Sequence, residues 1–322
     1  MGPAEAAIGH GRAGAVRWRG VCLFVLLAFG IAWGGFFGLR GAGIGPSVWM
    51  LFYISAPGLA ALLVRGPLGR EGFGDAGLRL SWNGRPDSTY LLAYATVPIL
   101  FALGAGLAVA TGTQRWLGLD GLRELLIEQP GWLALTTGLS TDQVLILAVG
   151  INALVLPVVY GVLVILGEEF GWRGYLLPRL APLGGPPAAL LTGVVSGLWH
   201  APVVATLGLN FPGHPWVGAA MMVAVDTAVG PFLAWLRFRS GSIWPATLAH
   251  AVGDPQAALL GRALSGGDRL LGAPEGVLGL VPWAMLGAWL ILTGRLGSTP
   301  APGPRRGLAM PATDRSASPR QV

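Results

Sequence analysis

The chain has 322 residues, of which 53% are hydrophobic and 11% charged, with a formal net charge of +6. Soluble globular domains carry about 25% charged residues, so the composition excludes that class and points to a membrane protein. The basic residues are all arginine and are not interleaved with aromatics, which excludes a nucleic-acid partner and leaves the lipid bilayer as the expected partner.

Apolar residues come in blocks close to the roughly 20 that a helix needs to cross the hydrocarbon core. In chain order these are 21–39, 47–64, 90–111, 144–167, 188–207, 216–236, 242–263 and 276–294. Asp254-Pro255 interrupts the seventh. Lipid offers the backbone no hydrogen bonds, so the blocks are expected as helices. The predicted fold class is all-α, a polytopic transmembrane bundle of about eight helices. The 52 glycines and 25 prolines suit it, since small residues let membrane helices approach closely.

The N-terminal arginines before VCLFVLLAFGIAW resemble a signal peptide, but no small-x-small cleavage site follows, so a retained first helix is expected. Cys22, in that helix, is the sole cysteine, so no disulfide framework exists. The loop at 65–88 is polar and arginine-rich. LDGLRELLIEQP, residues 119–130, has helical spacing and suits an interfacial helix.

With the N-terminus inside, sixteen of the 21 arginines fall on the inner side and five outside (Arg40, Arg115, Arg123, Arg262, Arg269). The positive-inside rule then gives a multi-pass protein of the cell membrane with both termini cytoplasmic. The expected organisation is a cytoplasmic segment 1–20, one membrane domain 21–296, and a disordered Pro- and Ser-rich cytoplasmic tail 297–322.

The chemistry lies in three of the blocks. Glu168 and Glu169 follow the apolar run directly, and insertion scales put an intramembrane charge at about 2.5–3.5 kcal/mol each. Arg173, one turn after Glu169, shares its face and is its expected partner, leaving Glu168 free to face a cavity. Arg179 is expected as an ordinary inner-side anchor. His200 sits mid-block, with Ser196 one turn earlier placed to orient its ring. His250 and Asp254 are four apart, a spacing that suits a shared proton or two ligands to one metal. Asp226 is a further intramembrane acid, and His10 and His214 receive no role.

Other protease signatures fit poorly. There is no HExxH and no GxSG. Asp226 and Asp254 fall on consecutive spans, as in intramembrane aspartyl proteases, but AVGD has Ala251 where the first glycine of GxGD belongs.

The order EExxxR, histidine on the next span, then HxxxD two spans later resembles the CPBP (ABI) family, which includes the type II CAAX prenyl endopeptidases. EEFGWRGYLLPRL matches the first motif closely, and the resemblance covers a core at about 144–263. The second motif departs, with Ser196 where the family has Phe; the third has Asp254 where Asn is commoner. The resemblance implies an intramembrane endopeptidase acting on a peptide or membrane-protein substrate, its site opening to the cytoplasmic face. Glu168 would activate water with help from His200, Glu169 and Arg173 would order the site, and His250 with Asp254 would stabilise the oxyanion or hold the water. Either no cofactor or a divalent metal such as zinc is compatible, the latter on Glu168, His200, His250 and Asp254. Two other classes stay open: a non-catalytic immunity or scaffold protein, and a small proton-coupled transporter.

Overall fold

The computed structural model describes residues 15–80, 88–128 and 138–297, with side chains to Arg123 in the second segment. The expected disordered tail, apart from Gly297, lies outside the described residues, as do Arg12, His10, Arg85 and the end of the 119–130 segment. The architecture is all-α. Helices α1 (Trp18–Gly41), α2 (Pro46–Leu63, continued to Leu68 by a π-helical turn) and α3 (Ser88–Ala110) are long and apolar enough to span a membrane. After the short α4 (Leu119–Glu128) come α5 (Thr141–Leu154) and α6 (Leu156–Leu183), bent by 41° against each other.

Helices α7 (Gly185–Trp199) and α8 (Ala201–Leu207) form one span, followed by α9 (Pro215–Ser240), α10 (Trp244–Ala263) and α11 (Val277–Leu292). All eight expected blocks are helical, yet among the described residues five spans meet both length and hydropathy, or six with the bent pair. Helix α10 has the length but is diluted by His250, Asp254, Gln256 and Arg262, and α11 has 16 residues. The block at 144–167 is not one straight helix. Val155 ends α5 and Pro157 begins the next turn, where its missing N–H costs nothing.

Two contacts position the acidic segment. Helix α2 packs onto the turn of α6 that carries Glu168 and Glu169. The approach is backbone to backbone: a Cβ on Gly58 would sit 2.8 Å from Gly167 O, and one on Gly171 2.5 Å from Pro57 Cβ. Behind that turn, aromatic side chains from four helices interlock. Trp172 meets Phe24 edge-on at 5.7 Å and Trp199 at 5.8 Å, and Tyr53 lies 4.3 Å from Trp199. Such pairs contribute about 0.5–1.5 kcal/mol each beyond the area they bury.

The described chain ends, the loop 69–80 and the α9–α10 turn gather at one end of the bundle. There Gly20 lies against Tyr175, Gly185 against Leu296, and Ile243 N–H donates to Gly77 O at 2.9 Å. At the opposite end, Arg115–Trp116 and Leu264–Ser265 form a two-stranded antiparallel ladder.

Candidate active site

Within α6 the acidic pair stands on a regular α-helical turn, Leu166–Gly171, between π-helical turns at Gly161–Ile165 and Trp172–Leu176. Widened turns of this kind recur at functional sites because they rotate the side chains that follow. Glu169 is fully buried. Its Oε1 accepts from Arg173 Nη1 at 2.7 Å and from His250 Nδ1 at 2.8 Å. The expected Glu169–Arg173 pair is present, and it extends to a third member on α10. His250 therefore takes Glu169 as its close partner, while Asp254 Oδ1 stands 3.7 Å from Nε2. Asp254 is half-exposed and accepts from the Tyr160 hydroxyl at 3.2 Å.

Glu168 points away from that network. Its side chain is buried, and Oε2 has no hydrogen-bond partner. A carboxylate oxygen removed from water without a donor is costly. Glu169 Oε2 is unpartnered too, but Glu169 has Arg173 and His250 on its other oxygen and Glu168 has neither. The charges facing it are those of His250, His200, Asp254 and Glu169.

His200 ends α7, and its Nδ1 lies 3.0 Å from the Ser196 carbonyl. Ser196 thus orients the ring, as its spacing predicts, but with its backbone oxygen. Its hydroxyl donates instead to Asp226 Oδ2 at 2.7 Å. Asp226 Oδ2 is 3.6 Å from His200 Nδ1, so this acid belongs to the same cluster. Sequence spacing assigns Asp226 no partner because the pairing crosses from α7 to α9, where a Cβ on Gly193 would fall 2.4 Å from Asp226 O. The carbonyl and carboxylate partners of the two imidazoles assign the proton to Nδ1 in each.

A cavity of about 690 Å³ is lined by Glu168, Arg173, Ser196, His200, Asp226, His250 and Asp254. The six residues read as catalytic from the sequence thus converge, all but the sequestered Glu169 on the cavity wall itself. The wall continues through Leu207–Asn210, Arg262, Arg269 and Glu275, towards the end opposite the chain ends. The lining thus extends to the loops between α8 and α9 and between α10 and α11, at the end of the bundle away from the chain ends. At the other end the loop 69–80 packs against α6, its Ala76 O 3.2 Å from a Cβ placed on Gly174. Arg179 is more than the membrane anchor expected of it. It pairs with Glu71 and Asp75 and stacks over Tyr175, tying that loop to α6. His214, given no role, contacts Asp268 at 3.0 Å.

The metal set read from the sequence does not assemble. Among the described residues no three His, Cys, Asp or Glu side chains form a ligand group. The nearest carboxylate to His250 is neutralised by Arg173, a poor neighbour for a divalent ion. The residues present do not fit a metal shell of Glu168, His200, His250 and Asp254.

Comparison with known families matches residues 150–254 to the model described as type II CAAX prenyl endopeptidase Rce1-like. Comparison with curated proteins finds no match. The matched segment runs from α5 to Asp254 and so contains Glu168, Glu169, Arg173, His200 and His250. Over that segment, this multi-pass helical chain is similar to the type II CAAX prenyl endopeptidases of the Rce1-like kind.

Proposed function

We propose that the chain is an intramembrane endopeptidase in which Glu168 is the general base that activates water. The observation that carries this is the buried Glu168 carboxylate, with an oxygen lacking any donor, on the wall of a cavity shared with two histidines. With Glu169, Arg173 and His250 as neighbours, one mobile proton keeps the group neutral. It resides on His250 when Glu168 is ionised, or on Glu168 when His250 is neutral.

In the first state Glu168 takes a proton from water while the oxygen attacks the scissile carbonyl, and His200 Nε2 accepts the second water hydrogen and orients it. Negative charge then develops on the carbonyl oxygen, where the Nε2–H of protonated His250 donates in a site shielded from bulk water. Glu168 passes its proton to the departing amine, and acid and amine leave. Glu169 and Arg173 hold His250 in place, and Asp226 with the Ser196 carbonyl holds His200. The substrate is a peptide segment presented at the membrane, cleaved in the CAAX-protease manner.

The test is Glu168→Gln in purified protein, scored by cleavage of membrane-reconstituted substrate. Gln keeps the shape but accepts no proton, so the rate falls by about 10²–10⁴-fold, and the protein remains folded. Wild-type rates in the Gln variant would reject Glu168 as the base. An intact cellular phenotype with no proteolysis would favour the scaffold class.

A further inference from the structure

Two arginines outside the motif meet the backbone of the motif itself. In α6 the π-helical turn sends the Leu177 N–H to Trp172 O. Arg173 O thereby loses the amide that an α-helix would supply. The next carbonyl, Gly174 O, would take its bond from residue 178, which is proline and has no N–H. Two successive carbonyls are thus stripped of their regular donors at the turn carrying Arg173. Both residues are buried, and a buried carbonyl left unfilled is costly.

Each is filled by a guanidinium from another element. Arg237, on α9, donates Nε–H to Arg173 O at 3.2 Å and an Nη2–H to Asp75 O at 2.7 Å. Arg65, at the end of α2 and 1% exposed, donates Nη2–H to Gly174 O at 2.6 Å. Its other amino group donates to Gly72 O at 2.7 Å and to Asp75 Oδ1 at 2.6 Å. The planar fork lies over the rings of Phe73 and Tyr175. A guanidinium fits this place because it presents several donors in fixed directions, which an ammonium does not.

We infer that Arg65 and Arg237 are positioning residues for the active site. They fix the Arg173–Gly174 backbone, and through it the chain from Arg173 to Glu169 to His250. The positional link is short: Arg237 holds Arg173 O, the Arg173 side chain holds Glu169 Oε1, and Glu169 Oε1 holds His250 Nδ1. This role rests on the reading of Glu168 and His250 as catalytic, but the backbone part of it does not. The two can therefore fail separately.

The experiment uses the full chain in detergent with Arg65→Met, Arg237→Met, the corresponding Lys variants, and Pro178→Ala alone and combined with Arg65→Met. Amide hydrogen exchange across 166–180 is followed beside kcat and KM on reconstituted substrate. Exchange in that stretch accelerates at least tenfold in each Met variant, and kcat falls at least tenfold with KM within threefold. Lys, which keeps charge but not the fork, rescues less than half of the lost kcat.

Pro178→Ala returns an N–H for Gly174 O, so it suppresses most of the Arg65→Met effect on exchange. Unchanged exchange in both Met variants, or no suppression by Pro178→Ala, would overturn the carbonyl-filling role. Faster exchange with unchanged kcat would overturn its link to the site. If the chain proves to have no peptidase activity, the exchange data still decide the backbone role. Should a Met variant not fold, its Lys variant carries the same exchange comparison, and wild-type exchange there together with no suppression by Pro178→Ala in that background counts against the role.

Discussion

Adjacent glutamates have opposite fates because helical geometry turns successive side chains about 100° apart. Glu169 falls on the face of Arg173 and His250, which both donate to its Oε1, whereas Glu168 has neither partner and lines the cavity. Substitutions should separate the two. Glu169→Gln strands Arg173 inside the protein, and breaking a buried pair costs about 3–5 kcal/mol. A large fall in thermal midpoint is expected for Glu169→Gln, and a small one for Glu168→Gln, which removes no hydrogen bond. Thermal unfolding of both variants in detergent measures this, and equal midpoints would contradict the division of roles. The Glu169–Arg173 pair is legible from i,i+4 spacing alone. That His250 prefers Glu169 to its own neighbour Asp254 is not, because the choice depends on how α10 lies against α6.

At the scale of elements, the loop 69–80 is clamped to α6 by ionic contacts that titrate. Partial burial pushes the Asp75 carboxyl up, but hydrogen bonds from Arg65 and Arg179 outweigh it and hold the group below its ordinary 3.8. The unfolded chain therefore binds the proton first as pH falls. The loop's contribution is fully present above about pH 4 and is lost as pH drops through the lower native value. Asp75→Asn should lower the unfolding midpoint at pH 7 and flatten its decline below pH 4, as read by unfolding at stepped pH.

The α10–α11 loop behaves oppositely. Burial pushes Glu275 up to about 7, against the Asn210 hydrogen bond and with the Asp254 charge adding to the rise. Here the native state binds more protons between 4.5 and 7, so stability falls as pH rises from 4.5 through about 7. Glu275→Gln removes that fall, and its midpoint should change less than wild type between pH 5 and pH 8.

For the whole molecule, the end-to-end arrangement sets which compartment can feed the site. The chain ends and the clamped loop share one end, and the cavity runs to the other, past Asn210, Arg262 and Arg269. The arginine distribution favours cytoplasmic termini, so the mouth is expected on the opposite face. In a Cys22→Ser background, a single Ser265→Cys substitution should react with an impermeant maleimide on intact cells, and a single Gly74→Cys only after permeabilisation. The reverse pattern would mean that the arginine count misorients the chain and that the mouth is cytoplasmic.

Sequence by itself determined the class of the protein and the parts of its chemistry. Apolar block length and the cost of unsatisfied backbone in lipid dictate helices, and the cost of intramembrane charge singles out Glu168, Glu169, His200, His250 and Asp254. These are local quantities, set by composition and by spacing along one helix. Tertiary structure decided the partners: Asp226 for the His200 cluster, Glu169 for His250, Arg65 and Arg237 for the α6 backbone, and the direction of the cavity. Those choices turn on the bend between α5 and α6, the widened turns within α6, and the glycine contacts that let helices meet at the backbone. Each acts between residues far apart in the chain, where neither periodicity nor transfer cost carries information.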